Sequence, residues 1–410
     1  MNYPYIIIGG GHAGAAAIEG IRAHDATGSI LLLARENHPP YQRPPLSKGL
    51  WFGKTTKDEL PIYDEAFYRQ QNVDLALRRE AVEIDPENRR VWDDHGATYD
   101  YGTLLIATGT RPRRLDVEGG DSEGIHYYRS LEDYLFFSGY LPRFQHALVL
   151  GSGFIGMEMA AALRQAGKEV TLLYPTEYPL RRILPRDLGL FIADYYRDHG
   201  IETVSGEGVV RFEERAELVA FTTGGNQVTT QIVLAGIGVE PVTDLAEAAG
   251  IDVGNGIEVD EYARTTDPHI YAAGDVAEFP YLALGRRMRI EHWDHAIQHG
   301  KAAGANMAGA NRPYTTLPFF YSDLFDLGWE AVGDLDWSLD IHAVWKEKHR
   351  EGVIFYLSQD VVRGVLLWNV WDKVEWARNL IRGAKPMSTE DREKLAASAM
   401  AGAVGAPGSA

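Results

Sequence analysis

The chain has 410 residues, 45% of them hydrophobic, with 40 basic side chains against 58 acidic ones and a formal net charge of −18. This acidic balance excludes a general binder of nucleic acid or of anionic membrane surfaces, and no apolar stretch approaches the ~20 residues of a membrane span. Cysteine is absent, which excludes disulfide reductases, thiol peroxidases and cysteine-based oxidases, since each passes electrons through a thiolate. The length allows two or three domains.

The first predicted strand, Tyr5-Ile6-Ile7-Ile8, runs directly into Gly9-Gly10-Gly11-His12-Ala13-Gly14. A strand, a glycine turn and a helix start in that order present free backbone N–H groups and a positive dipole end to a pyrophosphate. Gly9, Gly11, His12, Ala13 and Gly14 are the candidate cradle. The next strand, Ile30-Leu31-Leu32-Leu33, leads to Arg35 and Glu36, and Glu36 is the candidate for the ribose hydroxyls. The segment from Pro39 to Lys48 holds four prolines. They stiffen a loop from which Arg43 reaches toward the pyrophosphate and Lys48 toward the redox ring. Leu104-Leu105-Ile106-Ala107 precedes Thr108 and Gly109, a stretch that resembles the one closing the first half of an FAD domain.

A second fingerprint, Gly151-Ser152-Gly153-Phe154-Ile155-Gly156, follows Ala147-Leu148-Val149-Leu150. One such motif is weak evidence, but two, each between strand and helix, point to an oxidoreductase that binds two dinucleotides. Glu158 is read in the first turn of the second helix. There a glutamate suits the helix dipole by itself, or it partners Lys48 across the flavin. The strand ending at Tyr174 carries no acid at the first expected place. Glu177 is the candidate acceptor for a 2′-hydroxyl, whereas Arg181 and Arg182 are suited to a 2′-phosphate.

Ile270-Tyr271-Ala272-Ala273 ends in Gly274 and Asp275, an aspartate placed as in flavoproteins where it holds the ribityl chain. Together these motifs make FAD the resident nucleotide and NADH the visiting reductant, with NADPH the lesser candidate. A helix begins near Glu291-His292-Trp293-Asp294-His295, its N-terminus read against the flavin pyrimidine. His292, His295 and His299 are not taken as a metal site, because neither cysteine nor a dedicated carboxylate accompanies them. Six of the nine tryptophans lie in the last hundred residues and are read mainly as core. Residues 352–357 and 361–367 alternate as antiparallel strands around Gln359-Asp360, a helix covers about 372–381, and the tail from Ala396 is expected to be disordered.

Three stretches carry a family resemblance: residues 40–48, residues 284–295, and residues 352–357 with 367–369. The chain resembles the apoptosis-inducing-factor branch of the FAD-dependent pyridine nucleotide-disulfide oxidoreductases, which is related to ferredoxin and rubredoxin reductases. The resemblance implies an α/β fold of two Rossmann-type dinucleotide-binding domains, one inserted in the other, plus a C-terminal α+β domain. The implied spans are 1–120 with 251–312 for FAD, 121–250 for NAD(H), 313–395 for the C-terminal domain and 396–410 for the tail. It implies that FAD also meets Val82, Arg129, His292, Trp293 and Tyr321. The second fingerprint gives Gly153 and Gly156 to NAD(H), and the resemblance implies that it also meets Phe154, Ile155, Glu158, Arg182, Gly238, Glu291, His292, Glu330 and Asn369. Tyr321 falls where the family usually has tryptophan, and Trp293 where eukaryotic relatives have histidine.

The expected function is that of an FAD-dependent NADH oxidoreductase of apoptosis-inducing-factor type: hydride transfer from NADH to FAD with formation of a charge-transfer complex, followed by electron loss to an external acceptor. Lys48, Glu158 and His292 are the candidate catalytic residues. The alternatives are an NADH:ferredoxin or rubredoxin reductase, and an NADH-sensing protein with redox-linked dimerisation. A ferredoxin, a rubredoxin or a quinone is the candidate acceptor. The protein is expected to be cytoplasmic, with neither a nucleic-acid partner nor a membrane span.

Overall fold

The computed structural model describes residues 1–401 apart from residue 283. The chain forms two compact units, residues 1–42, 58–111 and 240–318 in the first and residues 43–57, 112–239 and 319–410 in the second.

The first unit is built on a seven-stranded sheet. Its order is Val73–Leu77, Ile30–Ala34, Asn2–Ile8, Thr98–Ile106, Arg90–Asp93 and Ala81–Asp85, with Ile270–Ala272 also pairing in parallel to Thr98–Ile106. Tyr5 faces Ile30 and Ile6 faces Leu104 in register. The central strands are buried on both faces, which is why they read as unbroken apolar runs rather than alternating ones. Helix His12–Arg22 leaves the first strand and packs on helix Trp293–Met307. Small residues allow the approach: a Cβ on Gly300 or Gly304 would run into the carbonyls of Ala13 and Ala17. Among the described residues, no helix is long and apolar enough to cross a membrane.

The second unit repeats the plan with a parallel sheet ordered Ile201–Ser205, Glu169–Tyr174, His146–Leu150, Ile232–Ala235 and Ile125–His126. Helix Phe154–Gln165 follows its central strand. The C-terminal part is a five-stranded antiparallel sheet ordered Phe319–Leu324, Leu327–Gly333, Val361–Trp368, Glu351–Ser358 and Asp340–Glu347. The expected turn at Gln359-Asp360 has both residues at positive φ, 52° and 60°, as a two-residue hairpin requires. The helix expected at 372–381 runs Val374–Gly383.

Two expectations need correction. The segment from Ala396 is helical as far as Ala401, within helix Thr389–Ala401, because Ala396, Ala399 and Met400 find apolar cover; the remainder of the tail lies outside the described residues. The late tryptophans divide. Trp329 and Trp368 face each other in register and stack at 5.0 Å in the core. Trp345, Trp371 and Trp376 are half-buried and Trp337 is exposed.

Candidate functional site

In the first unit the strand Asn2–Ile8 ends at Gly9, whose φ of +125° and closeness to the Ala107 carbonyl exclude a side chain. Gly11 caps the helix with no side-chain bond and no acid in the first turn. A Cβ at Gly11 would meet nothing within 4 Å, so open space lies over free N–H groups, the arrangement a pyrophosphate needs. Around this cradle, His12 Nε2 lies 2.9 Å from Gln42 Oε1, and the Trp293 indole N–H donates to the same oxygen at 3.2 Å. The two rings meet edge to face. Glu36 accepts a 2.6 Å bond from the Tyr41 hydroxyl. Thr108 donates to the Val242 carbonyl, and Gly109 has a φ of +68°.

The Gly274 N–H donates to His299 Nδ1, and Asp275 follows in the 3-10 turn Gly274–Val276. His292 is the N-cap of helix Trp293–Met307, and Glu291 pairs with Arg289 at 2.6 Å. Val82 is half exposed on its strand. Burial pushes the His292 imidazole down to about 4 and His299 to about 3, and burial with the neighbouring imidazoles also lowers His295 well below the usual imidazole range. All three are neutral near pH 7. His295 and His299 stack around Phe279 and Tyr314, which explains an i, i+4 histidine pair as packing. Among the described residues there is no cluster of three metal-ligating side chains.

In the second unit the same turn recurs. Gly151 has a φ of +96°, Gly153 is the bare N-cap, and a Cβ on Gly153 would again meet nothing within 4 Å. Phe154 packs edge to face on Phe320 at 5.3 Å, and Ile155 is exposed. The helix begins at Phe154, which puts Glu158 beyond the first turn and 5% exposed. The reading of Glu158 as a first-turn partner of the dipole is therefore corrected; a buried carboxylate there requires specific partners. It has them. Lys48 Nζ lies 2.7 Å from Oε1, Ser322 Oγ donates to Oε1 at 2.6 Å, and Ser47 Oγ donates to Oε2 at 2.5 Å. Lys48 also sits 5.4 Å from the Tyr321 ring centroid.

Burial, then the charges of Asp323 and Glu158, raise the Tyr321 hydroxyl to about 12. Burial likewise raises the Asp323 carboxyl, against the opposing charge of Lys48. Arg43 donates to the Arg129 carbonyl at 3.0 Å, on a segment fixed by the Ser130–Asp133 capping box.

Glu330 carries a carboxyl raised by burial and by Asp372, and its Oε2 has no hydrogen-bond partner among the described residues. That is an atom suited to a ligand donor. Asn369 is engaged otherwise: its Oδ1 accepts from the Gly328 N–H and its Nδ2 donates to the Arg350 carbonyl. Gly238, at φ +102°, accepts from the Arg113 N–H. Glu177 is held by the Arg186 guanidinium through both carboxylate oxygens. With Tyr178, Arg181 and Trp337 the pair lines a pocket of about 330 Å³, and the Arg182 carbonyl accepts from the Trp337 N–H.

Sequence reasoning missed Gln42, Ser47, Ser322, Arg186 and Trp337. Ser322 had a signal: a small polar residue at an inward position of the strand Phe319–Leu324, next to the flagged Tyr321.

Two phosphate-ready helix starts, a neutral half-buried imidazole at a third and a Lys–Glu pair shielded from solvent, without any cysteine, define a two-nucleotide oxidoreductase. Comparison with known proteins agrees. Residues 3–300 match the family described as pyridine nucleotide-disulphide oxidoreductase, and residues 303–351 and 344–383 match the C-terminal domain of apoptosis-inducing factor, mitochondrion-associated. The chain belongs to the pyridine nucleotide-disulphide oxidoreductase family and is an oxidoreductase that uses FAD and NAD(H). It is 36% identical over 334 residues, 80% of this chain and 82% of the relative, to the ferredoxin–NAD(+) reductase component of an anthranilate 1,2-dioxygenase system from Burkholderia cepacia. It is 30% identical to apoptosis-inducing factor 1 of Dictyostelium discoideum, covering 96% of this chain and 80% of that one. Among solved structures it is similar to the ferredoxin reductase for the CYP199A2 system of Rhodopseudomonas palustris, with a TM-score of 0.89, 30% identity, and coverage of 94% of this chain and 96% of that one.

Proposed function

We propose that the protein is an NADH-dependent reductase that passes electrons from FAD to a separate ferredoxin-type iron–sulfur carrier. The observation that carries this reading is a buried Lys48–Glu158 pair in a chain with no cysteine, so the electrons have no thiol to rest on and go to a separate partner. The ferredoxin–NAD(+) reductase relative and the ferredoxin reductase structure, each matched over most of both chains, support the choice of carrier. When bound, FAD would supply the chemistry that links a two-electron hydride donor to a one-electron carrier.

The protein's part is to hold and orient. Gly9, Gly11, His12, Ala13 and Gly14 offer the resident nucleotide a helix N-terminus, and Glu36 its ribose. Thr108, Gly109, Gly274, Asp275, His292 and Trp293 complete the set proposed for FAD. The turn Gly153–Gly156 offers the visiting nucleotide a second helix N-terminus, and the open Glu330 oxygen is suited to accept from a carboxamide N–H. Lys48, fixed by Glu158, supplies a buried positive charge to stabilise the negative charge that hydride delivery creates. NADH is the proposed reductant because Glu177 lies past the strand end where a ribose diol is read.

The test is turnover of purified holoprotein with NADH against dioxygen, a quinone, a rubredoxin and a [2Fe–2S] ferredoxin. The ferredoxin is expected to be reduced at least about tenfold faster than the others. Uniformly slow turnover would instead support a second reading, an NADH sensor of apoptosis-inducing-factor type. The C-terminal match to that family favours this alternative; an NADH-dependent change in mass would then be expected.

A further inference from the structure

We propose that Ser47 and Ser322 are positioning residues, two buried hydroxyls that lock the Glu158 carboxylate onto Lys48 and bring the C-terminal sheet into the reduction step. The inference rests on the reading of Lys48 and Glu158 given above.

The Glu158 carboxylate receives a hydrogen bond from a serine on each of its oxygens. Ser322 donates to Oε1 at 2.6 Å and Ser47 to Oε2 at 2.5 Å, while Lys48 approaches Oε1 at 2.7 Å. Ser322 is fully buried and Ser47 nearly so. A hydroxyl in such a setting costs stability unless it is bonded. Strand Phe319–Leu324 turns Ser322 and Leu324 to the interior, so alanine or valine would serve a purely structural purpose at least as well. The hydroxyls also decide between two acids. Lys48 interacts electrostatically with Asp323 as well as with Glu158, and a lysine ammonium is a flexible point charge that follows the better-placed carboxylate. Two donors on Glu158 hold that carboxylate in one rotamer and leave Lys48 facing it.

Ser47 comes from the proline-braced loop and Ser322 from the C-terminal sheet. The clamp therefore couples three separate stretches of sequence within the second unit: the loop, the helix after the second fingerprint, and the first strand of the C-terminal sheet.

The test is a double-mutant cycle on the FAD-loaded protein. Ser322→Ala and Ser47→Ala are made alone and in a Glu158→Gln background, with Ser322→Thr as the variant that keeps the hydroxyl. Three quantities are measured: the limiting rate of flavin bleaching by NADH in stopped flow, the flavin midpoint potential, and the Kd for NAD⁺. Loss of a hydrogen bond to a charged group is expected to slow bleaching about tenfold and to shift the potential. FAD content and the Kd are expected to stay within about twofold. In the Glu158→Gln background neither serine variant is expected to change rate or potential further, because the group they position is gone. Serine effects of equal size in both backgrounds, or none in either, overturn the clamp. If Glu158→Gln alone leaves rate and potential untouched, the reading of the Lys48–Glu158 pair fails instead, and the clamp with it. Should Ser322→Ala not retain FAD, Ser47→Ala carries the same cycle.

Discussion

The two glycine turns share one local geometry and differ in what surrounds them. Each has a first glycine at positive φ, an open second glycine, and a third whose Cβ would collide with the carbonyl of the first. Beyond the turn they diverge. In the first, His12, Ala13 and Gly14 are buried, and the helix they start is covered along its length by Trp293–Met307. In the second, Gly153 and Ile155 are exposed, with Phe154 between them only half-buried. On the proposed reading each motif makes a nucleotide site, and the burial around it separates the resident from the visitor. A covered turn suits a cofactor that does not leave, and an open one suits a substrate that exchanges at every turnover.

The largest expected effects test this contrast directly. Gly14→Ala drives a methyl into the Gly9 carbonyl, overpacking worth about 1–3 kcal/mol or more, and is expected to yield a colourless protein. Gly156→Ala meets the Gly151 carbonyl in the same way and is expected to leave a yellow protein whose bleaching by NADH is at least about a hundredfold slower, since a helix-end anion site is lost. Visible spectra and stopped-flow traces of both variants decide it. The contrast breaks if Gly156→Ala loses FAD and Gly14→Ala keeps it.

Acid should act with opposite sign on two sets of side chains. His292, His295 and His299 in the first unit are held neutral by burial, with His292 down to about 4 and His299 to about 3. Unfolded imidazole takes up its proton near 6.5, so the stability due to these groups is intact above that pH and is lost progressively as pH falls toward 4. Asp323 and Glu330 in the second unit have raised carboxyls; their contribution is present at low pH and lost as pH rises through the raised values. FAD fluorescence should therefore be released at falling temperature between pH 6.5 and 4, and His299→Leu should flatten the slope. A flat release temperature across that window would contradict the assignment.

The smallest effect is expected at Glu177. It is exposed and already paired with Arg186, and solvent screening leaves such an exposed pair little energetic weight. Glu177→Ala frees Arg186 beside Arg181 and is expected to lower kcat/KM for NADH by less than about tenfold while raising that for NADPH. Equal loss with both nucleotides would remove Glu177 from ribose recognition.

Much of this was legible in the sequence, for identifiable reasons. A parallel strand buried on both faces is an unbroken apolar run, so Tyr5–Ile8 and Ala147–Leu150 announce themselves, and the glycines after them are dictated by backbone collisions only a few residues away. Lys48 and Glu158 were legible as candidates because one ends a proline-braced loop and the other follows a fingerprint. Their serine partners were not, because a serine's meaning depends on what a distant strand brings to it. The helix at 389–401 escaped for a related reason. Its alanines carry no strong pattern and gain their cover from the sheet strands Asp340–Glu347 and Glu351–Ser358. The engagement of Asn369 with Gly328 and Arg350 is likewise tertiary, settled by a bend at positive φ.

The most direct measurement is an anaerobic titration of the FAD-loaded protein with NADH, followed by addition of oxidised [2Fe–2S] ferredoxin. With no thiol in the chain, full bleaching should require about one NADH per FAD, a two-electron reduction. About two equivalents of ferredoxin should then restore the yellow colour. Consumption of a second equivalent of NADH before bleaching is complete, or a reduced flavin that ferredoxin leaves unchanged, would contradict an electron path running from NADH through FAD to an external one-electron carrier.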